Sequence, residues 1–162
     1  MKIKIKLNRQ WQSVEVDPVK RLVDVLREDF RLTSVKQSCG EGECGSCSVI
    51  VDGNLVCSCL IPVIKVNGSS IVTLEGLSKD GRLNYVQRAF IDCGAVQCGF
   101  CTPGFIMASY YYIEKFGNSD EKKIQEYLCG NLCRCTGYLS IIEAVKLAIK
   151  YREQENGSIH SG

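Results

Sequence analysis

Residues 35–49 read VKQSCGEGECGSCSV, with Cys39, Cys44 and Cys47 in a C-x4-C-x2-C array and Gly40, Gly42 and Gly45 set between them. Glycines in such a loop let the backbone adopt positive φ angles and aim N–H groups at the sulfurs. Residues 47–52 (CSVIVD) and 55–58 (LVCS) are β-rich and separated by Asp52-Gly53, a hairpin signal. Cys57 and Cys59 lie on the far side of that hairpin. They share strand parity, so periodicity leaves open which of them faces the first three thiols. The loop also spells G-x-G-x-x-G from Gly40 to Gly45, but that fingerprint needs a strand before it and a helix after it. Here a cysteine interrupts the motif and a strand follows, so a dinucleotide site is rejected.

Outward from this loop the N-terminal part reads as a small mixed sheet crossed by one helix. Lys2, Lys4 and Lys6 alternate with Ile3, Ile5 and Leu7, the pattern of a half-buried strand at 2–8. A second strand is expected at 11–16 and another over Ile71–Leu74. Asp17-Pro18 predicts a helix start, with the carboxylate as cap, and Leu22, Val25, Leu26 and Phe30 carry helical spacing over about 19–29.

After Gly76 the pattern turns helical. Leu83, Val86, Phe90 and Ile91 predict one helix, and Phe105, Ile106, Ala108, Tyr112 and Ile113 a second. Residues 120–129 form a third behind an Asn118-Ser119-Asp120 cap, and Ile141, Ile142, Val145, Leu147, Ala148 and Ile149 mark a fourth. Short connections between four helices predict a small bundle. The domain break is placed at 77/78, the helical part at 78–153 and a flexible polar tail at 154–162, which holds the single histidine, His160. Cys93–Ile113 carries no charge over a length that could span a bilayer, but Gly94, Gly99, Pro103 and Gly104 break it. It reads as buried core rather than membrane.

A net charge of +2 and a pI near 8.0 offer no strongly basic face for nucleic acid. Cysteine is the outlier, at 11 of 162 residues. A chain that opens MKIKIKLN shows no secretory leader, and an odd number of thiols in C-x4-C-x2-C, C-x-x-C and C-x-C groups favours metal ligation over disulfides. The first group has the spacing of plant-type ferredoxins, which hold a 2Fe-2S cluster. The second comprises Cys98-Gly99-Phe100-Cys101 and Cys133-Arg134-Cys135, each just ahead of a predicted helix, where free N–H groups and the helix dipole favour an anionic cluster. Four-cysteine zinc uses similar pairs and is the rival there. Two oxidised clusters would bring the formal charge to about −2. Cys57, Cys93 and Cys129 are left over and are read as small buried hydrophobes.

Taken together, VKQSCGEGECGSCSV, the VDG turn, SCL at 58–60, TLEG at 73–76, GAVQCGFCTPGFIM and GNLCRCTGY resemble the iron-sulfur subunit of the molybdenum hydroxylases. That group contains xanthine dehydrogenase, aldehyde oxidoreductase, nicotinate dehydrogenase and carbon monoxide dehydrogenase. The resemblance implies an α+β chain: a β-grasp ferredoxin domain over 1–77, then an all-α four-helix bundle with its own 2Fe-2S cluster. It implies Cys39, Cys44, Cys47 and Cys59 for the first cluster, with the family's interval from Cys47 favouring Cys59 over Cys57. It implies Cys98, Cys101, Cys133 and Cys135 for the second, with Gln97 and Cys135 approaching the pterin of a molybdopterin cofactor in a large partner subunit. A separate FAD-binding subunit would take the electrons, and the complex would be cytoplasmic. Ser46 and Ser48 depart from the more usual Ala and Thr without touching a ligand position. A stand-alone ferredoxin-like carrier would account for the first domain alone, and a zinc-stabilised scaffold would carry no electrons.

Overall fold

The computed structural model describes residues 1–159, with side chains as far as Gly157; His160 lies outside the described residues. Five strands form one mixed sheet in the order β2-β1-β5-β3-β4: β1 Lys2–Leu7, β2 Gln10–Glu15, β3 Ser48–Val51, β4 Asn54–Cys57 and β5 Ser70–Val72. β1 runs antiparallel to β2 and parallel to β5, while β3 runs antiparallel to both β5 and β4. The alternation in KIKIKL does what its period requires. Ile3, Ile5 and Leu7 point into the core and the three lysines point out.

The inner face of the sheet packs on helix α1 (Leu22–Asp24) and the π-helical turn Val25–Asp29 that continues it, through Leu22, Val23, Val25 and Leu26. This helix starts later than the sequence suggests. Asp17 accepts from the Val19 N–H at 3.0 Å and shapes a turn rather than a cap. The next residues then pair across the chain, with Leu22 N–H donating to the Ile61 carbonyl at 2.7 Å and Val63 N–H to that of Lys20 at 2.9 Å. Residues engaged in an extended bridge cannot also be the first turn of a helix.

At TLEG the chain leaves the sheet. Asn8 Nδ2 donates to the Thr73 hydroxyl and Thr73 N–H donates back to Asn8 Oδ1, both at 2.9 Å. The helices that follow are α2 Leu74–Leu77, α3 Tyr85–Asp92, α4 Thr102–Lys115, α5 Glu121–Leu128 and α6 Leu139–Ile159. Asn84 and Gln87 form a reciprocal capping box at the start of α3, and Asp120 caps α5 by accepting from the Lys122 N–H at 2.9 Å. α6 runs to Ile159, so residues 154–159, expected as tail, are helical. Ties to α3 hold this last stretch: Arg88 pairs with Glu155, and Tyr151 donates to Asp92 at 2.8 Å.

The chain is thus α+β, with a ferredoxin-like sheet part and a helical part that share one wall. On β3, Val49 faces the sheet core and Ile50 the helical core, where α4 lies against β3 and β4. That wall places the glycine-rich thiol loop, which runs straight into β3, beside the start of α4. Among the described residues no helix is long and apolar enough to cross a membrane.

Candidate metal centres

The thiols predicted to act together do come together. In the first set Cys39 and Cys44 are in hydrogen-bonding contact, as are Cys47 and Cys59. Gly40, Gly42 and Gly45 have φ of +72°, +80° and +68°, which lets the loop curl around its sulfurs. The Glu41 N–H points at Cys39 Sγ (3.4 Å), and the Ser46 hydroxyl lies 3.2 Å from Cys44 Sγ. Cys47 and Cys59 are buried, whereas Cys39 and Cys44 are half-buried.

The second set gathers from two helix starts. Cys101 is the N-cap of α4, and Cys133 and Cys135 precede α6. The sulfurs pair across the two segments rather than within them: Cys98 with Cys135 and Cys101 with Cys133. Cys133 Sγ accepts from the Cys135 and Thr136 N–H groups at 3.4 Å and from the Thr136 hydroxyl at 3.2 Å. Cys98, Cys101, Cys133 and Cys135 line a cavity of about 420 Å³ that Cys44 and Ser46 also border. Cys98 and Cys135 are exposed, as is the neighbouring Gln97, while Cys101 and Cys133 form the inner edge.

Within these sets the thiols titrate unevenly. Burial works to raise Cys44, but hydrogen bonds from Ser46 and Cys39 outweigh it and bring the thiol down to about 7. At Cys133 burial is likewise overcome, by Thr136 and the Cys135 N–H, and the thiol again falls to about 7. Other thiols of the two sets move the other way. Burial pushes Cys101 up to about 12, with the Cys133 sulfur adding to it, and pushes Cys59 up to about 11, with Cys47 adding to it. Cys101 and Cys133, two thiols in contact, cannot both ionise cheaply, so Cys133 is the ready thiolate and Cys101 holds its proton until a metal displaces it, whereas Cys47 and Cys59 are both raised.

Pairs of sulfurs fit a binuclear iron cluster, in which each iron takes two thiolates. A four-cysteine zinc site would instead draw four sulfurs to one centre. Among the described residues no three cysteine, histidine or carboxylate side chains are gathered tightly enough to hold a single ion.

Cys57 is not remote from the first set. It contacts Cys47, which draws Cys57 down by hydrogen bonding, and its thiol donates to the Gly42 carbonyl at 3.6 Å. Cys59 accepts from the Gly42 N–H instead. Cys93 is half-buried and Cys129 exposed, so only the former behaves as the packed hydrophobe that composition suggests. Ser46, expected to leave the ligand positions untouched, in fact meets the Cys44 sulfur, and Thr136, for which the only sequence signal is its place after Cys135, meets that of Cys133.

The two sets adjoin. Leu132 N–H donates to the Cys44 carbonyl at 3.0 Å, and the buried Asn131 amide donates to the Gly45 carbonyl at 3.2 Å. Each loop therefore touches the other through backbone.

Known proteins repeat this arrangement in the same order. Residues 5–67 match the family described as 2Fe-2S iron-sulfur cluster binding domain, and residues 73–146 match the 2Fe-2S binding domain family. The nicotinate dehydrogenase small FeS subunit of Eubacterium barkeri is 45% identical over 91% of this chain and 94% of its own. Quinoline 2-oxidoreductase from Pseudomonas putida 86 contains a chain that superposes with a TM-score of 0.91 at 37% identity, covering 96% of both. The aldehyde oxidoreductase of Desulfovibrio desulfuricans ATCC 27774 superposes equally well, at 0.91 and 38% identity, but there 95% of this chain corresponds to 17% of a much longer one. In these three the unit stands either as a chain of similar length or as one part of a longer polypeptide, and each is named as an oxidoreductase or dehydrogenase. The chain belongs to the 2Fe-2S subunits of the molybdenum hydroxylases and serves as the iron-sulfur part of such an enzyme.

Proposed function

We propose that this chain relays electrons from a large molybdopterin-binding subunit, through its two clusters, to a FAD-binding subunit of a cytoplasmic complex. The observation that carries this reading is the backbone contact between the two thiol sets, because it puts two carriers side by side in one chain. In this reading Cys39, Cys44, Cys47 and Cys59 hold one cluster in a β-grasp domain of residues 1–77. Cys98, Cys101, Cys133 and Cys135 hold the other in a four-helix bundle of residues 78–153. A 2Fe-2S cluster takes up and releases single electrons. The protein's share is to fix the thiolates, to supply the N–H and hydroxyl donors of Glu41, Thr136 and Ser46, and to bury one edge of each set.

Purified anaerobically, the chain is expected to hold about four iron and four acid-labile sulfide, as two four-thiolate binuclear sites require. On reduction it should show two distinct paramagnetic signals, one cluster sitting in a sheet-domain loop and the other between helix starts. Stoichiometric zinc without iron would overturn the assignment.

Electrons are expected to enter at the exposed edge, where Gln97 precedes Cys98 and the Cys98 sulfur meets that of Cys135. Gln97→Ala should leave both clusters formed but slow their reduction by substrate in the assembled complex, because an amide contact to the pterin is lost without touching an iron ligand. The measurement compares that rate with dithionite reduction of the isolated subunit. An unchanged substrate-driven rate in a normally assembled complex would remove Gln97 from the path.

A further inference from the structure

Arg21 is the N-cap residue of α1, and its backbone bridges to Pro62 in the turn that follows Cys59. Its guanidinium is held on two sides. Nε and one terminal nitrogen donate to the two Asp24 carboxylate oxygens at 2.8 and 3.2 Å, a bidentate fork. The Gln37 amide, turned so that its oxygen faces the donors, accepts from both terminal nitrogens at 2.7 and 3.1 Å and donates to Asp24 at 3.1 Å. The remaining edge faces the thiol loop, and a Cβ on Gly40 would sit 3.5 Å from Arg21 Nη1. That is van der Waals distance, so the cation lies directly against the loop. The guanidinium stays protonated at any working pH, so this is a permanent positive charge.

We propose that Arg21, oriented by Asp24 and Gln37, sets the reduction potential of the cluster held by Cys39, Cys44, Cys47 and Cys59. The proposal rests on that ligand assignment. One-electron reduction adds one negative charge to the cluster, and a fixed cation against the loop stabilises the added charge. Asp24 holds Nε and the other terminal nitrogen rather than the Nη1 that meets Gly40, and its charge opposes that of the guanidinium. The net effect is to make this cluster a better electron acceptor than it would be without the cation. Arg21 touches no sulfur through a hydrogen bond and acts only through its field; it is a positioning residue for charge.

The test is a mediated redox titration of the loaded subunit, with each cluster followed by its own paramagnetic signal. Arg21→Gln should lower the ratio of reduced to oxidised ferredoxin-type cluster at fixed ambient potential by a few-fold, with solvent screening of the half-exposed guanidinium keeping the change below about tenfold, which corresponds to about 59 mV for one electron. Asp24→Asn should move the same cluster the opposite way, because the cation loses its counter-charge. Arg21→Lys should recover part of the wild-type value, and the other cluster should stay where it is in all three. Loosening of the fold would not give shifts of opposite sign from the two halves of one ion pair. If Arg21→Gln does not assemble, the direction of the Asp24→Asn shift still decides. Shifts in the same direction, or none beyond error, overturn the proposal with the cluster assignment intact. Absence of a ferredoxin-type cluster from the wild-type chain overturns both.

Discussion

Cys59→Ser is expected to remove the ferredoxin-type cluster, halving iron from about four to about two per chain, whereas Cys57→Ser should leave both clusters in place. The distinction is not one of proximity, since both thiols contact Cys47. It lies in what each sulfur meets. Cys59 receives an N–H from Gly42, the kind of donor that stabilises an iron-bound thiolate, whereas Cys57 gives its own proton to the Gly42 carbonyl. A sulfur stripped of its proton and turned to that carbonyl would face an oxygen lone pair. The hydrogen bond that draws Cys57 down comes from the Cys47 thiol, and a Cys47 that ligates iron no longer has that proton. Iron analysis and the low-temperature spectrum of each reduced variant decide the matter. Loss of the ferredoxin-type signal in Cys57→Ser, with retention in Cys59→Ser, would exchange the two roles.

Elements set by local pattern were legible in the chain. KIKIKL could only be a one-sided strand, VIVDGNLV only a hairpin, and the Asp120 cap stands where its helix begins. What escaped depended on partners distant in sequence. Asp17-Pro18 looks like a helix start, and it fails because residues 20–22 are claimed by residues 61–63. The polar stretch after Arg152 looks like a tail, and it stays helical where Glu155 meets Arg88, which lies 67 positions earlier. The thiols divide in the same way. Their grouping into two sets follows from spacing, but the crossed pairing of Cys98 with Cys135 and Cys101 with Cys133 needs the two helix starts to face each other. Arg21 carries no motif at all. Its place beside Gly40 exists only because the turn after Cys59 folds back on the start of α1.

Gly104→Ala is expected to destabilise the chain by about 1–3 kcal/mol, towards the upper end of that range for overpacking. Alanine in a helix ordinarily gains stability over glycine, and Gly104 lies in the first turn of α4, so propensity alone predicts the opposite sign. The added methyl would lie 2.3 Å from the Gly45 carbonyl oxygen and 2.9 Å from Ser46 Cα. Those are backbone atoms and cannot swing aside as a side chain would. Nor can the loop retreat. Gly45 is itself backed by Asn131 and Gly130, whose nearest atoms would stand 2.4 and 2.7 Å from a Cβ built there. Three backbone segments therefore meet at one point: the start of α4, the loop of the first thiol set and the strand-like turn leading to Cys133. At about 2–4 °C per kcal/mol for a chain of this size, the thermal midpoint should drop by about 6–12 °C. The Leu132 amide, which bridges the two sets, should exchange its hydrogen faster. Gly130→Ala is the control, because a Cβ there meets nothing within 4 Å, and it should stay within about 0.5 kcal/mol of wild type. Equal stability of the two variants would mean that the loops can separate without loss, and the clusters would then be held by their own domains rather than by each other.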